Sequence, residues 1–64
     1  MNLSEIKSSV LSGKKVYCRN ENYEVIQNKL NEWLILSKMN GYSIGLTWDD
    51  NITLNDKESE FFTI

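Results

Sequence analysis

Histidine and proline are absent from this sequence, cysteine occurs once and glycine three times. A single cysteine excludes an internal disulfide, and without histidine the chain lacks the ligands of a structural zinc site. No stretch is long and apolar enough to span a bilayer. We therefore expect no bound cofactor, no metal and no insertion into a membrane.

The chain has 64 residues, which is enough for one domain, residues 1–64. A domain of this size buries only about 60% of the surface that its unfolded chain exposes, so its stability is marginal. Disulfides, metals and oligomerisation are the usual ways to stabilise such small domains, and the composition leaves only oligomerisation. The sequence therefore predicts a homo-oligomer.

Charge is distributed unevenly along the chain. Residues 1–40 carry six basic and four acidic side chains, whereas residues 41–64 carry one basic and five acidic side chains. The acidic end is either an ordinary solvated surface, a surface for head-to-tail packing, or a mimic of nucleic acid. The lone Cys18 and the lack of an apolar run among residues 1–15 favour a reducing, cytoplasmic location.

Helical spacing is found only near the start of the chain. Asn2 and Glu5 have the spacing of a capping box, and Gly13 is a typical helix stop. These signals predict an amphipathic helix over residues 3–12. Its apolar stripe consists of Leu3, Ile6, Val10 and Leu11.

After Gly13 the sequence alternates with the period of a β-strand. Strands are predicted at residues 14–19, 23–28, 32–39 and 42–48, with a short fifth at 52–54. Asn55 and Glu58 predict a C-terminal helical turn, which Phe61 and Phe62 would dock. The predicted fold class is α+β: a short N-terminal helix packed on an antiparallel four- to five-stranded β-meander, with a short C-terminal helical turn.

The Asn40–Gly41 pair predicts a two-residue type I′ turn, because both residues tolerate positive φ. This turn pairs Ile35 with Leu46 and Trp33 with Trp48. It gathers one large apolar set on a single face, which we expect the helix to cover with both tryptophans in the core. That set consists of Trp33, Ile35, Met39, Tyr42, Ile44, Leu46 and Trp48.

The other face of this hairpin carries Leu34, Leu36 and Gly45. In this register Gly45 lies opposite Leu36 and leaves room for close approach. Either the sheet curls and covers the two leucines itself, with help from Phe61 and Phe62, or the face binds another copy or another protein. We predict that Leu34, Leu36 and Gly45 form an interface.

Lys15, Tyr17 and Arg19 are predicted to share the outward face of the first strand. A basic and aromatic strip of this kind holds phosphates and stacks bases. It is more often a charged strand edge that only prevents aggregation. The net charge of −2 argues against non-specific duplex binding, so nucleic acid is a less favoured partner than a small anionic ligand.

Catalytic groups are scarce in this sequence. Asp49 and Asp50 are adjacent in a turn, where solvated turn residues are more common than a catalytic pair. Cys18 has no histidine to activate it and follows Val16 on one strand face, so we interpret it as a small core residue. The sequence therefore predicts a protein that is not an enzyme.

The segments LSEIKSSVLSGKKV, NYEVI, NGYSIGLTWDDNITLN and FF, in this order, resemble small accessory proteins encoded by bacteriophages and prophages. The resemblance implies a protein that acts in the bacterial host cytoplasm. Phage proteins of this kind often disable host defences, by masking a host protein or by sequestering a nucleotide signal. The resemblance implies no catalytic residue.

Two mechanisms follow from this resemblance. A sequestering oligomer would hold a nucleotide-type ligand near Lys15, Tyr17 and Arg19, whereas an inhibitor would present its acidic end or its apolar sheet face to a host bacterial protein. The alternative function is a small nucleic-acid-binding or regulatory protein that uses the same three residues.

Overall fold

The computed structural model describes all 64 residues, Met1–Ile64. Its elements in chain order are α1 (Leu3–Leu11), β1 (Val16–Cys18), β2 (Asn20–Gln27), β3 (Trp33–Ser37), β4 (Ser43–Gly45), the 3-10 helix Glu58–Glu60 and β5 (Phe61–Thr63). The five strands form one antiparallel sheet in the order β4-β3-β2-β1-β5. The predicted α+β class is confirmed, and β5 departs from the meander by pairing with β1 at the far edge.

Helix α1 has the ends that its sequence predicts. The Asn2 side chain accepts from the Glu5 backbone N–H at 2.8 Å, and the Glu5 carboxylate accepts from the Asn2 N–H at 2.9 Å. At the other end Gly13 adopts a φ of +91°, which lets its N–H and the next bond back to carbonyls in the last turn. This nine-residue helix is the longest in the chain, and none has the length and apolar character needed to cross a membrane.

Asparagine and aspartate side chains build the turns in the absence of proline. In each turn a side-chain oxygen accepts from a backbone N–H two residues later, which fixes the turn locally. The four residues that do this are Asn20, Asn28, Asn40 and Asp50.

The sheet has one face that α1 covers and one that it does not. We call the first the helix face; its core consists of Val16, Cys18, Val25, Ile35 and Phe61 of the strands, together with Ile6 of α1 and Leu46. We call the second the open face; strand alternation and the observed pairings assign to it Tyr17, Glu24, Ile26, Leu34, Leu36, Gly45 and Phe62. The single α-helix packs on the helix face, which leaves the open face without a helix.

The β3–β4 hairpin differs from its prediction by two residues of register. Ile35 pairs with Ile44 instead of Leu46, and Asn40 does not have the positive φ that a type I′ turn requires. The cause lies on β2, because the Asn22 side chain accepts from the Met39 N–H at 2.9 Å and its carbonyl from the Lys38 N–H at 2.8 Å. With their backbone N–H groups bonded to Asn22, residues 38 and 39 do not pair with β4, and the loop between β3 and β4 is longer than two residues.

The shifted register also changes which large side chains are buried. Trp33 packs against the rim of the core, whereas Trp48 lies beyond the end of the sheet and is 63% exposed. The prediction that both tryptophans are core residues is therefore wrong for Trp48. Met39, Tyr42 and Ile44, which were expected under the helix, are exposed as well.

The C-terminal segment forms a strand where a helical turn was predicted. Asn55 does not cap a helix; its side-chain amide donates to the carbonyls of Gly45 and Thr47 at 2.6 and 3.2 Å. Only the 3-10 helix Glu58–Glu60 has helical character, and β5 follows it at once. Residues 52–54 form no strand but a single bridge between Thr47 and Leu54. Extended backbone prevails at β5 because it satisfies the otherwise unpaired edge of β1.

Candidate binding surfaces

The structure separates Arg19 from the other two residues of the predicted ligand strip. Lys15 is exposed and precedes β1, while Tyr17 lies on the open face and is only 6% exposed. Arg19 follows an irregularity in the β1–β2 pairing and has a φ of +69°, which turns its side chain toward the side of Cys18. The expectation of one shared outward face is therefore wrong, and a ligand-binding role for these residues stays a prediction.

Tyr17 is covered by neighbouring side chains of its own chain. The Phe62 ring centroid lies 5.7 Å from its ring centroid, and the Lys38 ammonium lies 4.9 Å from the same ring. Lys38 also pairs with Glu24 at 3.1 Å, and the hydrogen bond with this carboxylate raises the Lys38 pKa. The ring of Tyr17 therefore has little free surface on which a base can stack.

The Arg19 guanidinium is paired with a carboxylate from the C-terminal segment. Its Nε lies 2.6 Å from Oδ2 of Asp56, and Asp56 also accepts from the Lys57 backbone N–H at 2.9 Å. The Arg19 hydrogen bond is the main cause that lowers the Asp56 pKa to about 2. Much of the positive charge at this corner is therefore balanced within the chain.

The Cys18 thiol lies beside the same ion pair. It donates to Asp56 Oδ2 at 3.4 Å, and burial first, followed by the Asp56 hydrogen bond, raises its pKa to about 12. A thiol with this pKa stays protonated near neutral pH and is a poor nucleophile. Its position in the core agrees with the interpretation of Cys18 as a small core residue.

Leu34, Leu36 and Gly45 do lie together on the open face, in a register that differs from the prediction. Gly45 pairs with Leu34 instead of Leu36. A Cβ at Gly45 would lie 3.0 Å from the Thr47 carbonyl oxygen, so the close approach at this glycine is made by the chain itself. The interface role of the three residues stays a prediction, and the space at Gly45 does not support it.

The two phenylalanines of β5 are divided between the two faces. Phe61 joins the core of the helix face at 3% exposure, and Phe62 is half-buried beside Tyr17 on the open face. Strand β5 is three strands away from β3, about 14 Å at the usual spacing of strands. Phe62 therefore enlarges the apolar open face and does not cover Leu34 and Leu36.

An open groove lies on the helix face beyond the end of α1. A hollow of about 230 Å³ and an adjoining one of about 210 Å³ share Tyr23, Ile35 and Ile44 as walls. The Arg19–Asp56 pair borders one end of the groove, and Tyr42 borders the other. Helix length predicts this gap, because nine residues extend only about 13 Å, which is less than the width of a five-stranded sheet.

A larger cavity, of about 420 Å³, opens where the loop before β3 meets the loop after β4. Both tryptophans line it, together with Lys7 of α1 and the carboxylates of Glu32 and Asp49. Sequence reasoning missed this cavity, because it depends on the register that places Trp48 outside the sheet. The one feature of the sequence that could have indicated this cavity is that each tryptophan has an acidic neighbour, Glu32 before Trp33 and Asp49 after Trp48.

Comparison with known protein families, curated proteins and solved structures finds no match. Every buried side-chain nitrogen and oxygen of the chain has a hydrogen-bond partner. No three cysteine, aspartate or glutamate side chains lie close enough together to hold a metal ion. Three features leave apolar surface uncovered: the open face, the groove on the helix face and the tryptophan-lined cavity.

Proposed function

We propose that this chain is a small binding protein without catalytic activity, which self-associates through the open face and masks a host defence protein in the bacterial cytoplasm. This function is the counter-defence role that its resemblance to phage accessory proteins implies. The observation that carries the proposal is the open face itself, an apolar sheet surface for which the chain provides no helix.

The first support is the amount of apolar surface left at the open face. Ile26, Leu34 and Leu36 occupy neighbouring positions on β2 and β3 and are all only half-buried. Burial of such a side chain from full exposure is worth about 1.5–3 kcal/mol, so covering the part that is still exposed adds a fraction of this for each residue. Only nine of the 64 residues are buried in the single chain, which makes that gain important for stability.

The second support is the charge of the open face, which favours a second copy as its occupant. Its central carboxylate, Glu24, is already paired with Lys38, which lies over Tyr17 on the same side. Two copies of the face can therefore pack together without burying an unpaired charge, whose cost would be high. A face that is apolar and internally neutral is suited to contact with itself.

The third support concerns the choice between masking a protein and sequestering a ligand. Sequestration and nucleic-acid binding both depend on Lys15, Tyr17 and Arg19. Tyr17 is covered, and Arg19 is paired with Asp56. The chain also carries a net charge of −2, which disfavours an anionic partner. A protein partner requires none of these three residues to be free.

Native mass spectrometry of the protein, purified gently from a bacterial lysate, tests self-association. We expect a multiple of the 7.5 kDa chain mass without added small masses. Leu36→Asp should reduce this species to a folded monomer, because it places an unpaired charge in the contact. Leu30→Asp is the matched control, since Leu30 is 77% exposed in a loop, and it should leave the mass unchanged.

A bare monomer, or a folded Leu36→Asp variant that keeps the oligomer mass, would contradict the open-face interface. An oligomer with added mass of nucleotide size would contradict masking and restore the sequestering mechanism. Masking itself is tested by purifying the host protein that copurifies with the chain and binding it again to the pure chain. We expect the reconstituted complex to lose the defence activity of that host protein.

A further inference from the structure

The tryptophan-lined cavity has the size of a binding site, and it adjoins the open face, because Leu34 and Gly45 are among its lining residues. Its volume of about 420 Å³ falls in the range of small-ligand sites. Trp33 comes from the start of β3, and Trp48 comes from the loop after β4. The carboxylates of Glu32 and Asp49, each adjacent in sequence to one of these tryptophans, line the same cavity.

Trp48 is held in an exposed position by a well-bonded loop. Its side chain is 63% exposed, while its backbone N–H donates to the Thr53 carbonyl at 2.8 Å. Asp50 fixes the same loop by accepting from the N–H groups of Ile52 and Thr53, each at 2.9 Å, and from the Thr53 hydroxyl at 2.7 Å. The Trp48 ring therefore lines the cavity from an exposed position, on a loop whose structure is held by backbone and Asp50 hydrogen bonds.

The two carboxylates in the cavity keep their charges unbalanced. The chain has two ion pairs, Arg19–Asp56 and Lys38–Glu24, and neither involves Glu32 or Asp49. Asn28 holds one oxygen of Glu32 at 2.9 Å, which orients this carboxylate. Lys7 is the only basic residue among those that line the cavity, so the lining has an excess of one negative charge.

A cation already lies against one of the two indole rings. The Lys7 ammonium is 5.6 Å from the centroid of the Trp33 ring, within the range of cation–π attraction. The only other cation over an aromatic ring in this chain is Lys38 over Tyr17, so Trp48 has none. The cavity thus combines the exposed indole of Trp48, two carboxylates outside any ion pair, and the Lys7–Trp33 cation–π contact.

We propose that this cavity binds an organic cation, a guanidinium or alkylammonium group, over the ring of Trp48 and beside Glu32 and Asp49. Aromatic faces with nearby carboxylates recognise such cations by quadrupole and charge attraction. An anionic ligand would meet an excess of negative charge, and the lining lacks a cluster of three metal ligands. The cation is supplied either by a basic side chain of a protein partner or by a free polyamine.

The test is a titration of the purified full chain, followed by amide NMR shifts, with N-acetyl-arginine amide. N-acetyl-citrulline amide is the matched control probe, because it has nearly the same shape and no charge. We expect saturable shifts of Gly45, Thr47 and Asp49 with the arginine probe, weaker binding at high salt, and no saturation with the citrulline probe. Equal binding of the two probes would overturn the proposal.

Variants then locate the binding. Trp48→Ala and Asp49→Asn should each weaken the arginine probe by about threefold to fivefold, the range expected for one exposed cation–π contact or ion pair. Glu21→Gln is the matched control, since Glu21 is an exposed carboxylate outside the cavity, and it should have no effect. Unchanged affinity of both cavity variants for the arginine probe would overturn the assignment of binding to this cavity.

Two further probes identify the source of the cation. Tighter binding of a tri-arginine peptide than of spermidine assigns the site to a basic segment of a protein partner, and the reverse assigns it to free polyamines. No binding of either probe would overturn the proposal. Leu34 and Gly45 of the open face line this cavity, so the titration is repeated with Leu36→Asp, in which the changed residue lies outside the lining. This variant should bind the arginine probe as the unmodified chain does, which separates failure of the cavity site from failure of the open-face interface.

Discussion

Where α1 packs on the sheet, the covered side and the side behind it differ in how completely they are buried. On the helix face, Val16 and Val25 are at most 1% exposed, and so is Ile6 of the covering helix. On the open face, Leu34 and Leu36 remain half-buried although they alternate with core residues of the same strand. The difference comes from the position of one nine-residue helix and not from a difference in hydrophobicity. The sheet has apolar side chains on both faces, but the single helix α1 packs on only one of them.

Strand β3 shows this most clearly. Its residues Trp33 to Ser37 include an apolar side chain on each face, a composition that is typical of strands buried on both sides. Strand β2 is less apolar, since Glu24 lies on its open side, and that charge is paired. Strand β3 therefore has the sequence of a strand in a three-layer protein, whereas the single chain has two layers.

The strongest test of this comparison uses two adjacent residues that point to opposite faces. Phe61→Ala should destabilise the fold by about 3–5 kcal/mol, because it leaves a cavity in a closed core. Phe62→Ala should cost clearly less in the monomer, since Phe62 is only half-buried. Urea unfolding at low protein concentration measures both. Equal losses would mean that the open face is as well packed as the helix face.

Local signals predicted the parts of the fold that local interactions determine. The capping box of Asn2 and Glu5 and the stop at Gly13 placed α1 to within one residue of its end. Alternation placed β1 to β4 in their correct order and put Ile35 on the face that the helix covers. These features depend on contacts between residues that are close in sequence, which is why the sequence alone indicates them.

The features that were missed depend on distant contacts. Asn22 sets the length of the β3–β4 loop from a different strand, so the Asn40–Gly41 pair alone suggested the wrong register. Strand β5 forms because the edge of β1 is free, which a local reading of Glu58 to Phe62 does not show. The tryptophan-lined cavity follows from the same register and was missed with it.

Loss of the helix cap provides a second, smaller test. Asn2→Ala should cost about 1 kcal/mol, because it removes the acceptor for one of the free N–H groups at the start of α1. Thermal unfolding followed by circular dichroism measures the loss, and Asn2→Ser should recover most of it. Since the cap acts within α1, hydrogen exchange should increase at Ile6 and Val10 of the helix more than at Leu36 of β3. A uniform increase would contradict a local effect of the cap.

The ion pair at the edge of the helix face predicts a pH dependence. The Asp56 pKa is lowered from its ordinary value of 3.8 to about 2, mainly by Arg19. A lowered pKa means that the stabilisation is fully present above about pH 4 and is lost as the pH falls toward 2. The difference in urea midpoint between the unmodified chain and Asp56→Asn should therefore be constant above this window and vanish near its lower end. Glu58→Gln, an exposed carboxylate outside both ion pairs, is the control and should give no such window.

The smallest expected effect concerns the ion pair of the open face, and its size depends on whether that face is covered. In the monomer, Glu24→Gln should change stability little, because Lys38 is partly exposed and solvent screens its charge. In an oligomer closed over this face, the same change leaves the Lys38 ammonium unpaired in an apolar contact, which is strongly unfavourable. The double variant Glu24→Gln with Lys38→Met removes both charges and should restore the oligomer. Equal, small effects of Glu24→Gln at low and high protein concentration would show that the open face is exposed to solvent in both states.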